Sequence, residues 1–145
     1  MNVIFLDIDG VLNNCMAAGV FHPTSTDPLC IDILNHCLKQ VDGKIVIISS
    51  WKDNYDFEVI RDLLYERGVL EGSIIDATTK DSQKLEGIVY FLIEKYFIEI
   101  ESYVIIDDNL SFEGNYKGME KFYVKTNSHT GLKPEDIDKI LNKFK

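Results

Sequence analysis

The sequence predicts a doubly wound α/β fold, a parallel sheet with helices on both faces, on three observations. Short apolar runs rich in β-branched residues alternate with longer segments of helical period along the whole chain. These runs are continuous rather than alternating, the pattern of strands buried on both faces. Strands that alternate with helices require right-handed crossovers, and those make the strands parallel. The 145 residues fit a single domain, expected to run over 1–145, with enough chain for a core that needs no disulfide or metal staple.

The first strand is expected over residues 3–6, where Val, Ile, Phe and Leu follow one another. Asp27 then suits a helix N-cap with Pro28 at the first helical position. Cys30, Ile33, Leu34 and Cys37 share one face of that helix, and Gly43 is expected just past its end. A second strand at 45–48 leads to a helix with Phe57, Ile60 and Leu64 on its inner face, closed by Gly68. A short third strand at 74–75 precedes a helix that gathers Leu85, Ile88, Val89, Leu92 and Tyr96. The fourth and fifth strands are expected at 104–106 and 122–124. Pro134 opens a final helix with Ile137, Ile140, Leu141 and Phe144 turned inward, and Glu135 and Asp136 suit its positive end. No repeat, low-complexity tract or linker interrupts the series.

Fifteen basic against 24 acidic residues give a formal charge of −9, which disfavours a surface built to wrap nucleic-acid phosphates indiscriminately. A local basic rim remains compatible with it. Cys15, Cys30 and Cys37 are an odd set without paired spacing, so no disulfide framework is expected and a reducing compartment is. His22, His36 and His129 lack metal-ligand spacing. Asp7 interrupts the first apolar run before it could form a signal-peptide core, and no run is long enough to span a bilayer. The expectation is a cytoplasmic protein with no membrane partner, and no obligate protein partner is inferable.

In open α/β sheets ligands bind beyond the carboxyl ends of the strands. Asp7-Ile8-Asp9-Gly10-Val11-Leu12-Asn13 follows the first run, Ser49-Ser50-Trp51-Lys52 the second, and Asp107-Asp108-Asn109 the fourth. Four carboxylates in one crevice repel each other, so either their pKa values rise or a hard cation sits among them. Mg²⁺ is the simplest resolution, because it takes only one or two protein carboxylates and leaves another free for chemistry.

The triplet Asp7-Ile8-Asp9 followed by Gly10-Val11, with Ser49, a lysine before a helix and Asp107-Asp108, resembles the four-motif set of haloacid dehalogenase (HAD) superfamily phosphohydrolases. The finer pattern, with Thr126 and Gly131-Leu132, resembles the HAD domain of Swiss Army Knife RNA repair proteins. The resemblance implies that Asp7 is the nucleophile of an aspartyl-phosphate mechanism and Asp9 the general acid and base. It makes Asp7, Asp108 and the main-chain carbonyl of Asp9 the Mg²⁺ ligands, with Asp107 positioning the lysine or a metal-bound water. Ser49 would donate to a phosphate oxygen, with backbone N–H groups near Ser50 and Asp9 completing the cradle. Lys84 is the expected active-site lysine and Lys80 the runner-up.

The interval from Asp7 to Ser49 must already hold a loop, a helix and a strand, which leaves no space for a cap domain. Uncapped relatives often act on large substrates whose own bulk covers the site. The function expected is Mg²⁺-dependent phosphomonoester hydrolysis, with the 3′-phosphate of an oligonucleotide end as substrate. A nucleotide or metabolite phosphatase is the alternative, and a non-catalytic phosphate- or protein-binding module a third reading. Trp51, the only tryptophan, either covers the core beside the second strand or stacks on a nucleobase, with Lys52 and Tyr55 on the same rim.

Overall fold

The computed structural model describes residues 1–14, 25–79, 82–95 and 99–144. Strands β1 (Asn2–Leu6), β2 (Gly43–Ile47), β3 (Ile74–Ala77), β4 (Ser102–Asp107) and β5 (Tyr123–Lys125) form one sheet in the order β3-β2-β1-β4-β5. Every pairing is parallel. All the expected strands are present, and most extend beyond their apolar run. Asn2 pairs with Gly43 and Ser102 in the ladder, because backbone groups pair whatever side chain they carry.

Helices α1 (Pro28–Val41), α2 (Trp51–Asn54), α3 (Phe57–Glu66), α4 (Lys84–Glu94) and α5 (Asp136–Lys143) join them, with a 3₁₀ segment at Gly114–Phe122. The two-residue period of the strands divides the core. Ile4, Leu6, Ile45, Ile47, Val104 and Ile106 pack with residues of α1, α3 and α5. Val3, Phe5, Val46, Ile48 and Ile105 pack with α4 and the 3₁₀ segment on the other face. Each such side chain, fully buried, contributes about 1.5–3 kcal/mol.

Local chemistry sets the ends of the helices. The Asp27 carboxylate accepts from Leu29 N at 2.9 Å and Pro28 opens α1, a cap worth about 1 kcal/mol. At the other end Gly43 lies just past the helix, as expected, and begins β2, while the left-handed residue is the C-cap Asp42 (φ 51°). A short polar side chain tolerates that conformation. Gly68 closes α3 as expected, at φ 107°. On α4, Leu85 and Ile88 are buried and Val89 and Leu92 half-buried, and Phe91 joins them, edge-on to Phe5 at 5.7 Å. The four-residue α2 and the 3₁₀ segment were not anticipated, since α2 is too short to display a period and the 3₁₀ segment buries no residue that would mark one. Cys15, His22, Lys80 and Tyr96 lie outside the described residues.

No helix among the described residues is long and apolar enough to cross a membrane. From β1 the sheet grows through β2 to β3 on one side and through β4 to β5 on the other. The carboxyl ends of β1 and β4 therefore flank the switch point, where an open α/β sheet has its crevice. Among the described residues no cap domain stands over it.

Candidate active site

Asp7 leaves β1 with its N–H bonded to Ile106 O of β4 at 3.0 Å, and Asp107 ends β4. Carboxylate oxygens of Asp7, Asp107 and Asp108 all lie within 4.8 Å of one another. Lys84, the first residue of α4, reaches into this group: its Nζ stands 2.8 Å from Asp107 Oδ2 and 3.2 Å from Asp7 Oδ2. Asp107 Oδ1 accepts from Asn109 N at 2.9 Å, so both oxygens of this carboxylate are engaged in holding the lysine and the turn.

Burial, followed by the nearby Asp107 charge, pushes the Asp7 carboxyl up to about 7 despite the opposing pull of Lys84. Burial also raises Asp107 above the usual carboxylate range, against the same lysine. For Lys84, burial alone would lower the pKa, but the attraction of Asp7 and Asp107 raises it overall. With all of them ionised, the three clustered carboxylates outweigh the Lys84 ammonium by two charges. An all-oxygen donor set carrying that imbalance fits a hard divalent cation.

The loop after β1 is shaped for this group. Gly10 sits at φ 79°, and a Cβ there would come within 2.3 Å of Asp108 Oδ2, so only glycine lets the Asp108 carboxylate lie over the loop. Thr126 Oγ1 donates to Gly10 O at 2.6 Å, and Leu132 N donates to Val11 O at 2.8 Å. Gly131, at φ 67°, has no room for a side chain between Val11 O and Asn13 O. Thr126, Gly131 and Leu132 thus latch the loop from the β5 side.

Asp9 is held at both oxygens: Asn13 Nδ2 donates to Oδ1 at 2.9 Å and Trp51 Nε1 donates to Oδ2 at 3.1 Å. Asn13 is itself fixed, accepting from Gly10 N and donating to Ser25 O. The sequence reading assigned Asn13 no role. Its signal was an amide four residues after Asp9, in a segment that turns back on itself.

At the end of β2, Ser49 is fully buried and its Oγ accepts from Trp51 N at 3.2 Å, while Ser50 is exposed. Trp51 is 5% exposed and Lys52 6%, and the Lys52 ammonium donates to Thr79 O at 2.8 Å. The expected stacking rim is therefore not formed by these two side chains. The α2 turn carries the indole inward to Asp9 and the core, which is the other role the sequence allowed. Only Tyr55 of that trio is exposed, at 41%. Asp7, Asp107, Asp108 and Lys84 are brought together, with Asp9 joined to them through its own loop.

A family model, the HAD domain in Swiss Army Knife RNA repair proteins, matches residues 3–137. No curated protein and no solved structure matches the chain. The match runs from the second residue of β1 through every other strand to the first two residues of α5, and it includes each residue of the carboxylate cluster, so the chain belongs to the family of HAD domains found in Swiss Army Knife RNA repair proteins.

Proposed function

We infer that the chain, as a single uncapped domain, is a Mg²⁺-dependent phosphomonoesterase working through an aspartyl-phosphate at Asp7, and that its substrate is the 3′-phosphate at a nucleic-acid strand end. One observation carries the reading: a buried carboxylate paired with Lys84 is followed two residues later, in the same loop, by a second carboxylate, Asp9, whose two oxygens are clamped by separate donors. Binding alone needs no such division of roles. Family membership supports phosphatase-type chemistry.

Asp7, Asp108 and the Asp9 carbonyl would hold Mg²⁺, which supplies charge neutralisation between nucleophile and phosphate. A carboxylate oxygen of Asp7 attacks phosphorus, and the bond to the leaving oxygen breaks as Asp9 gives that oxygen a proton. Water then attacks the phosphoryl group, Asp9 takes its proton, and the Asp7–phosphorus linkage opens to release inorganic phosphate. A carboxylate oxygen accepts at two lone pairs, so the Asn13 and Trp51 bonds orient Asp9 without occupying every site for that proton. Lys84 keeps Asp7 in place and offsets charge on the transferring group.

The test is Mg²⁺-dependent phosphate release from 3′- and 5′-phosphorylated oligonucleotides, nucleoside monophosphates and sugar phosphates, with Asp7→Asn as control. Preference for the 3′ ends is the expected result, and preference for small esters would instead assign a metabolite phosphatase. Absence of a Mg²⁺-dependent beryllofluoride adduct at Asp7 would remove the aspartyl-phosphate step.

A further inference from the structure

Two open grooves flank the Asp7–Lys84 pair, and they differ in charge. The first, about 530 Å³, is lined by Asp108 and Asn109 together with Lys125, Thr126, Lys133 and Lys139. The second, about 650 Å³, starts at Lys84 and carries Glu86 and Glu113. Since Asp7 and Asp107 engage the lysine of the second groove, what it offers a substrate is mainly negative.

In the first groove the balance is reversed. Asp108 belongs to the carboxylate cluster, and Asp136, also in the wall, is 1% exposed with Oδ2 accepting from Lys133 N at 3.0 Å. Lys139 stands 3.8 Å from the other oxygen and is 61% exposed. The three lysines come from three places: the last residue of β5, the segment after the 127–131 turn, and the exposed face of α5. Their gathering in a chain of net charge −9 places like charges together, an arrangement that an anion relieves. The wall is also firm, because the Asn127 carbonyl accepts from both Thr130 N and Gly131 N, and Leu132 N ties the segment to Val11.

The geometry points to this lysine groove as a subsite for a second phosphate of the substrate. The inference rests on the phosphatase reading and deepens it: the scissile ester lies at Asp7, and the body of the substrate carries at least one further phosphate along Lys125, Lys133 and Lys139. The glutamate-bearing groove is disfavoured for such a body by charge alone. A phosphodiester of a strand and the second ester of a nucleoside bisphosphate share this chemistry, and the test separates them.

The experiment compares wild type with a Lys125→Gln/Lys133→Gln/Lys139→Gln variant and with the corresponding triple arginine variant. Binding of a fluorescein-labelled, 3′-phosphorylated octanucleotide is followed against salt. The kcat/KM ratios of nucleoside 3′,5′-bisphosphate and of a 3′-phosphorylated dinucleotide to nucleoside 3′-monophosphate are measured beside it. Each phosphate contact to a single strand contributes a salt slope of about 0.7, so the glutamine variant should lose a slope of about 2, and the arginine variant should keep it. The preference for substrates with a second phosphate should fall by tenfold or more in the glutamine variant alone, and whichever substrate shows the larger fall identifies the occupant. Unchanged slope and unchanged preference in the glutamine variant would overturn the subsite, even with hydrolysis intact. Slope loss without hydrolysis of any ester by wild type would overturn the phosphatase reading and support the groove.

Discussion

Gly10→Ala tests how closely the β1 loop is fitted to the acidic cluster. The added Cβ would sit 2.3 Å from Asp108 Oδ2 and 2.5 Å from its Cγ, whereas contacts under 3.0 Å essentially never occur. Closing that gap requires a shift of about 0.7 Å, and the loop cannot simply yield, because Thr126 Oγ1 and Leu132 N hold it at Gly10 O and Val11 O. The carboxylate therefore moves, out of the group it forms with Asp7 and Asp107. A misplacement approaching 1 Å at a reacting centre costs on the order of 10²-fold in rate.

The cost in stability is separable and smaller. Backbone strain at positive φ contributes about 1–2 kcal/mol, partly offset when Asp108 withdraws from its like-charged neighbours. At about 2–4 °C per kcal/mol for a domain near this size, Tm should fall by only a few degrees. The assay pairs Mg²⁺ titration by calorimetry with phosphate release at saturating substrate. Expected are a folded protein, Mg²⁺ affinity weakened by tenfold or more, and kcat about 10²-fold lower. Wild-type Mg²⁺ affinity and kcat in Gly10→Ala would refute the claim that Asp108 depends on the missing side chain.

Trp51→Phe removes one hydrogen bond to the Asp9 carboxylate while keeping an aromatic ring in the core; with about 1.5–3 kcal/mol for a bond to a charged group, kcat should drop roughly 10- to 100-fold with KM little changed, as steady-state kinetics would report. Asp7 is raised from 3.8 to about 7 in the folded chain, so without metal its contribution to stability is complete below about pH 4 and is lost as pH rises through 7. Melts in a chelating buffer should therefore show Tm declining over that window, and the decline should flatten in Asp7→Asn. Burial, with a smaller push from nearby carboxylates, raises the Cys30 and Cys37 thiols to about 11, and both are buried. In a Cys15→Ser background, a disulfide reagent at pH 8 should modify them only after denaturant is added; rapid labelling of native protein would contradict that packing.

The sheet was legible because burial on both faces leaves a direct mark in composition: a strand such as residues 3–6 has no polar side to interrupt its run. The site was legible for a related reason. A parallel strand ends on the ligand-binding side, so whatever follows the run, Asp7 after β1 or Asp108 after β4, is placed there by topology. For the lysine the resemblance offered Lys84 with Lys80 as runner-up, and it is the fold that sets the Lys84 ammonium against Asp7 and Asp107. Segments without a period, such as α2 and the 3₁₀ run, carried no comparable mark. The left-handed turn at Asp42 was hidden behind the neighbouring glycine.

By itself, then, the sequence determined the α/β class, the strands and the chemical character of the crevice, because these depend on patterns carried within a few residues of each position. Tertiary structure alone decided which partner each polar atom takes. Trp51 could equally have faced solvent, and its burial against Asp9 follows from how α2 leaves β2 over the loop. The gathering of Lys125, Lys133 and Lys139 beside Asp108, from three elements, is likewise a product of the fold. Side-chain hydrogen bonds and surface charge clusters join residues far apart in the chain, and no local pattern encodes which of the many compatible partners will be within 3 Å.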